Sequence, residues 1–495
     1  MIVPAKTCLW AALALLTVYL GQSVAQTDAQ TDTPQPADQQ AQDVAAPTTA
    51  AEDVPGSQPE PQSMLGFGAT EAPREKQSFL SGSLGLGQTA QWNPSPGYAT
   101  QITGDAKLLK YWGRWSSSLD YAGGSFYYPT NSFGKLSYIE TLTAAQRFTG
   151  PTRELIFADS VGNSNTGGTF GSPLLGGAGN PGASYFSGGN VFGGGPVITN
   201  VAQAGLTQKW KRRSTIRVLG AYGMDFYPGP NSLSDHYGLG AMQYGYQLNH
   251  RSSIGAFLVH RNFQYPGSSQ GLVSNVVELS YQRMLSRRLL FAGGAGPSFD
   301  TVTSLFAIPP YIVLTLKTKR IDVSAYGELA YSFKNGTAGL FYQRLTTGGS
   351  GLFAGANTNA AVLTVTRRIS RSWGGSLNSG FAKLQEIQSV SAGAIQPSYQ
   401  YWYSGATLSR KLGPFFSFFS SYQYLDQSST GTSCLAGSQC RSRQDLVTIG
   451  LSWRPRPIRL GRGSNMNDQS NDTSDLEGTS AGANDPKPVE QDDNH

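Results

Sequence analysis

The stretch "GLTQKWKRRSTIRVLGAYGMDFY", Gly205 to Tyr227, decides the fold. Two alternating segments flank a short basic knot, "WKRRS" (Trp210–Ser214). After the knot, Ile216, Val218, Gly220, Tyr222, Met224 and Phe226 fall on one face. Thr215, Arg217, Leu219, Ala221, Gly223 and Asp225 fall on the other. A repeat of two is the signature of a strand. The knot then has two readings. It grips an anionic partner such as nucleic acid, or it turns the chain tightly between strands whose outer face meets something apolar.

The same alternation recurs along the chain. Ile321, Val323, Ala325, Gly327, Leu329, Tyr331 and Phe333 oppose Asp322, Ser324, Tyr326, Glu328, Ala330 and Ser332. Val447, Ile449, Leu451 and Trp453 oppose Leu446, Thr448, Gly450 and Ser452. No helical period persists beyond two turns, and no apolar run is long enough for a membrane helix. A soluble antiparallel sheet would alternate too, but three features point elsewhere. The segments suit a tilted crossing of a bilayer, which takes about 9–11 residues, and exceed the usual globular strand of about 5–6. Connections alternate between tight and long. "YWGRW" (Tyr111–Trp115), "WKRRS", "LNHRSS" (Leu248–Ser253) and "RRISRSW" (Arg367–Trp373) are tight, whereas "YPGPNSLSDHYG" (Tyr227–Gly238) and "LTTGGSGLFAGAN" (Leu345–Asn357) are long. That asymmetry belongs to outer-membrane barrels. Finally, Trp112, Trp115, Trp210, Trp373 and Trp453 all lie beside tight turns or at the last strand's end, as an interfacial aromatic girdle requires.

The expected fold is therefore all-β: a transmembrane antiparallel up-and-down β-barrel of about 18 strands, with 16 as the alternative. Its count runs from Phe79–Ala90 to Leu446–Trp453, with Pro309–Arg320 read as an external excursion. Such a barrel leaves an aqueous lumen, and half of each strand must be polar or small. The hydrophobic content of 39 %, the mean hydropathy of −0.28 and the 60 glycines agree with that demand. The knot thus reads as a turn. Trp210 sits in the girdle, and Lys211, Arg212 and Arg213 stand in water near headgroups, with Arg251, Arg287, Arg288, Arg371 and Lys411 repeating the pattern. Nucleic acid is not the expected partner.

Residues 1–25 read as a signal peptide, with Lys6 before the apolar "CLWAALALLTVYL" (Cys8–Leu20) and "SVA" (Ser23–Ala25) before the cut. Residues 26–76 form an acidic arm rich in Pro and Gln, with no Lys or Arg before Arg74. Residues 458–495 form an acidic tail. Both have too little apolar surface to offset their ordering entropy, so both are expected to be disordered. The formal charge of +6 hides a basic body, residues 77–457, between acidic ends. Cys434 and Cys440 are expected to form a disulfide in an exported chain.

The run "YQRLTTGGSGLFAGANTNAAVLTVTRRISRSWGGSLNSGF" (Tyr342–Phe381) and the ending "LVTIGLSWRPRP" (Leu446–Pro457) resemble a set of poorly characterised, porin-like bacterial outer-membrane β-barrel proteins. The resemblance spans most of Gln77–Pro457 and rests on structural motifs. It implies a barrel in the outer membrane and no catalytic residues.

Function then rests on the lumen. Asp105, Lys107, Arg217, Asp225, Arg261, Glu278, Asp322 and Glu328 lie opposite the apolar stripes and are the candidate lumen charges. Both signs occur, so strong ion selectivity is not expected. The Gly-rich run Gly162–Pro196 either folds inward to narrow the pore or stays outside. His250 and Ser252 lie in a tight turn, where a lipase pair would have no use. Asp225, Asp235 and His236 flank one external loop, an arrangement used by barrel proteases, but without a second acidic pair. The four histidines lack metal-ligand spacing. The expectation is a non-enzymatic, passive channel for small hydrophilic solutes in the outer membrane, without cofactor or metal. Its partners are outer-membrane lipids and such solutes, with the N-terminal arm available to a periplasmic partner and oligomerisation open. The alternatives are a component of an export or surface-polysaccharide system, or a structural or adhesive surface barrel.

Overall fold

The computed structural model describes residues 78–92, 97–129, 136–164, 197–228, 233–266, 268, 270–308, 312–349, 353–387, 397–430 and 440–460. The expected signal peptide, acidic arm and most of the tail lie outside them. So do the Gly-rich run apart from Gly162–Ser164 and the disulfide loop with Cys434.

The strands follow one another as β1 (Phe79–Gln91), β2 (Gly97–Trp112), β3 (Trp115–Tyr127), β4 (Leu136–Thr149), β5 (Arg153–Ser164) and β6 (Val197–Lys211). Next come β7 (Ser214–Phe226), β8 (Asp235–Asn249), β9 (Ser252–Tyr265), β10 (Gln270–Met284), β11 (Leu289–Ile308) and β12 (Ile312–Phe333). The wall ends with β13 (Gly336–Thr347), β14 (Ala356–Arg368), β15 (Trp373–Glu386), β16 (Ser398–Lys411), β17 (Phe416–Thr430), β18 (Cys440–Trp453) and the short β19 (Ile458–Arg459). Each strand pairs antiparallel with the next, and β1 closes the ring on β18 from Leu84↔Trp453 to Gln91↔Leu446. The fold is a closed 18-strand barrel. β19 continues beside β1, pairing Ile458 with Leu80 and Arg459 with Phe79, so the wall runs past the expected boundary at Pro457. The external excursion before Ile321 also proves to be sheet. Ser304–Ile308 and Ile312–Leu316 prolong the β11–β12 hairpin beyond its neighbours, pairing residue by residue up to Ile308↔Ile312.

The tight turns fit their sequences. Between Trp112 and Trp115, Gly113 takes φ 63°, a left-handed conformation that a side chain resists. At the knot the register shifts between Lys209 and Lys211, and Trp210 stands outward, as the β6 alternation requires, 67 % exposed.

Burial along β7 shows which side is which. Val218, Tyr222 and Phe226 are exposed, while Leu219, Gly223 and Asp225 are buried. The outer wall is an apolar belt. Leu86, Ile102, Leu258, Leu279, Ile321 and Ile449 all lie open, Leu279 to 72 %. Water penalises such a surface, whereas hydrocarbon does not. Polar outward groups pair with each other above the belt, as His260 Nδ1 does with Asn275 Oδ1 at 2.8 Å and Tyr222 Oη with His236 Nδ1 at 3.1 Å. Leu279 lies midway between the outward residues Arg283 and Asn275 of β10. Leu279→Arg is expected to destabilise the folded barrel by about 2–4 kcal/mol, the depth-dependent cost of a lipid-facing cation. Reversible urea unfolding in lipid vesicles measures it, and a change within 0.5 kcal/mol, roughly the surface value, would remove the belt from the bilayer.

Candidate functional site

The strand alternation fails at one place, and there the interior is built. From Leu345 to Gly349 and from Phe353 to Thr358 every residue is buried, on both faces of the hairpin. A segment of barrel wall has one wet side and one lipid side, so continuous burial means protein on both. The pairing of β13 with β12 stops at Ala325↔Arg344, whereas β13 and β14 stay paired to Thr347↔Ala356. The β13–β14 tip therefore parts from β12 and leans over the barrel mouth, while β14 stays paired with β15 up to Ala356↔Glu386.

Its chemistry permits the turn. Gly349 and Gly355 have φ of 90° and 97°, where glycine alone is unstrained. Gly348 packs so closely on the Asp235 carboxylate and the Phe263 ring that a β-carbon would collide with both. The amide of Phe353 donates to Gly349 O (3.2 Å), and that of Gly355 to Gly348 O (3.3 Å).

A staple holds the root. Asp322 accepts from Arg344 Nη2 (2.7 Å), Asn357 Nδ2 (2.6 Å) and its neighbour's amide (Val323 N, 2.7 Å), with Arg320 Nη2 at 3.1 Å. The inner wall then clasps the tip. Arg261 Nη1 of β9 donates to Thr346 O (3.3 Å), and Tyr265 Oη to Gly348 O (2.8 Å). Thr346 Oγ1 donates to Asp300 Oδ2 of β11 at 2.8 Å. Leu345 and Ala354 join an apolar cluster with Tyr237, Phe263, Leu272, Val276 and Ile387. On the other side Phe353 and Ala356 pack on Ala382, Leu384 and Tyr399 of β15 and β16, and Ile387 N donates to Gly355 O (3.2 Å).

The candidate lumen charges all lie on inward faces but in different settings. Lys107 pairs with its cross-strand neighbour Asp120 at 3.5 Å, and Asp105 accepts from Ser83. Arg217 stands half-buried across from Thr207 and Gln243. Glu328 is half-buried opposite Ala292 and Phe341. Asp225, Arg261 and Glu278 are 1–2 % exposed beneath or beside the tip, and Asp322 belongs to the staple. The structure thus brings Asp225, Arg261, Glu278 and Asp322 to one region and leaves Asp105 and Lys107 on the wall near β1–β3.

His236 faces outward on Tyr222, away from Asp225 and Asp235, so these three do not form a protease-like group. Trp112, Trp115, Trp210 and Trp453 are exposed at the tight-turn end and Trp373 is half-buried there. Lys110 Nζ lies 5.2 Å over Trp112, and the Arg410 guanidinium 5.3 Å over Trp373.

Sequence reasoning placed Asp235 beside the external loop but missed Asp300, Tyr265 and the tip itself. Asp300 was within reach, because the alternation Ser298–Asp300–Val302 on β11 carries it to the inner face. The tip gave no signal, since "TTGGSGLFAG" has the composition of an external loop.

Away from the tip the inner wall is polar, with charges that include the pairs Lys107–Asp120 and Arg147–Glu154. Thr448 Oγ1 and Thr89 Oγ1 lie 2.9 Å apart across the closing seam, and Thr89 reaches Gln101 Oε1 at 3.3 Å. Gln203, Gln423 and Gln444 extend that lining.

No family profile and no curated relative matches the chain. Solved structures do. The outer membrane protein OpdK of Pseudomonas aeruginosa aligns at 11 % identity with a TM-score of 0.38, over 77 % of this chain and 99 % of that one. OccK9 (OpdG) of the same organism aligns at 9 % and 0.38, over 76 % and 98 %. The siderophore receptor PiuA of Acinetobacter baumannii aligns at 11 % and 0.40, over 74 % of this chain and 66 % of its own length. The neighbours are bacterial outer-membrane β-barrels, and the chain covers less than two thirds of PiuA.

Proposed function

We propose that the protein is a porin-like outer-membrane channel through which small hydrophilic solutes diffuse passively. The observation that carries the reading is an infolded tip across an otherwise polar, closed 18-strand lumen. A barrel of this size leaves an aqueous passage, and the tip narrows it without needing a separate plug. The mechanism is diffusion, with size set by the tip and charge preference by the groups around it. Carboxylates outnumber cations there: Asp225, Asp235, Glu278, Asp300 and Asp322 stand against Arg261, Arg320 and Arg344, whereas Lys107 and Asp120 balance each other. Cations are therefore expected to pass more readily than anions.

Purified protein in planar bilayers tests this. Stable single-channel steps with cation-favouring reversal potentials under a salt gradient support the channel. A folded, heat-modifiable barrel that stays silent points instead to an export component or a structural surface barrel. Arg217→Ala is expected to change conductance while leaving insertion intact, because Arg217 faces the lumen. Lost assembly with unchanged conductance in surviving pores would remove Arg217 from the pathway.

A further inference from the structure

Beneath the tip lies a feature that the channel does not require. Asp225, near the end of β7, and Asp235, at the start of β8, are directly opposed in the strand register, and each is 1 % exposed. Directly opposed like charges destabilise a sheet, and burying a carboxylate is costlier still, even with the backbone hydrogen bond that Asp235 accepts from Asp225. Both sit on the inner face, where lipid is not a consideration.

Among the described residues, tyrosines set in the apolar cluster with Phe263 and Leu345 surround the pair. Asp235 Oδ1 has no hydrogen-bond partner. Independently, the Tyr237 hydroxyl is buried with no hydrogen-bond partner, and it lies within electrostatic reach of both carboxylates. Its ring folds over Gly223, the register partner that precedes the Asp225–Asp235 pair, and a side chain at Gly223 would occupy the ring's place. The Tyr227 hydroxyl lies within electrostatic reach of both carboxylates, and that of Tyr265, which donates to Gly348 O, within reach of Asp235. Gly348 of the tip closes the site against Asp235. Among the described residues no three His, Cys, Asp or Glu side chains gather as a metal group. The oxygens here are two opposed carboxylates with tyrosine hydroxyls within electrostatic reach.

We propose that Asp225 and Asp235 hold a hard divalent cation of the calcium class under the Gly348 turn, tying the tip to the wall. Oxygen-only donors select hard cations over zinc or copper. Two carboxylates match the charge of one such ion, and the remaining neutral oxygens suit calcium's irregular, high coordination better than magnesium's strict octahedron. Binding does not depend on whether the barrel conducts, so the proposal and the channel reading fail separately.

The test uses full-length protein in detergent, stripped with a chelator and titrated with terbium, which stands in for calcium. Tyr227, Tyr237 and Tyr265 beside the site should sensitise a saturable terbium emission. Calcium should displace it with a dissociation constant of about 10⁻⁴–10⁻³ M, the range of extracellular sites. The Asp225→Asn/Asp235→Asn pair should lose the saturable component, whereas Asp426→Asn, in an outward ion pair with Arg441, should keep it. Tyr237→Phe leaves both carboxylates in place and should bind more weakly while folding normally. The proposal is overturned if folded wild type shows no calcium-displaceable emission, the result expected if the carboxylates share a proton instead. It is equally overturned if the double Asn variant folds and keeps the signal.

Discussion

Replacing Gly348–Gly355 with a short turn is expected to raise single-channel conductance several-fold while the barrel still inserts and stays heat-modifiable. The tip crosses from the β8–β11 wall to β15 and β16, so its removal widens the passage without cutting any wall strand pair below Thr347↔Ala356. The cost falls on the two apolar clusters that Leu345, Phe353 and Ala354 help to form. A milder variant separates width from packing. Gly355→Val forces a β-branched residue into φ 97° against Leu272, so it should loosen the tip and add conductance noise before it widens the pore. If the shortened protein conducts like wild type, the tip is no constriction.

Arg261→Ala carries the largest expected loss of stability, about 3–5 kcal/mol, because it strips the compensating cation from buried carboxylates. Arg261 is 2 % exposed on β9, donates to the Thr346 carbonyl and lies in the field of Glu278. Substitution removes both the positive charge and one of the tip's anchors. Denaturant unfolding in micelles should show the loss, and conductance recorded in parallel should become noisy. A change below 1 kcal/mol, roughly the scale of an exposed pair, would mean that water reaches these carboxylates and that the interior is more open than their burial shows.

The girdle residues, the basic turns and the inner-face positions of Asp105, Lys107, Arg217 and Glu328 were legible because each follows from strand parity. A one-residue slip would reverse every one of them. Lys107 and Asp120 could not be matched that way, since their pairing depends on the hairpin register across "YWGRW". The role of Asp322 was equally hidden. Parity turns it inward, but its partners Arg344 and Asn357 reach it only because β13 breaks from β12 at Arg344.

The sequence by itself determined a closed sheet of long alternating strands, greasy outside and polar within, because that pattern is local and repeats every second residue. Only the tertiary structure decided what stands inside it. The tip is pinned by Tyr265, Arg261 and Asp300, which lie 83, 85 and 46 positions from the residues they hold. The Asp225–Asp235 pair likewise arises from the register of two strands across an external loop. Contacts of that kind leave no trace in local composition, so a glycine-rich segment reads the same whether it waves in solvent or closes a mouth.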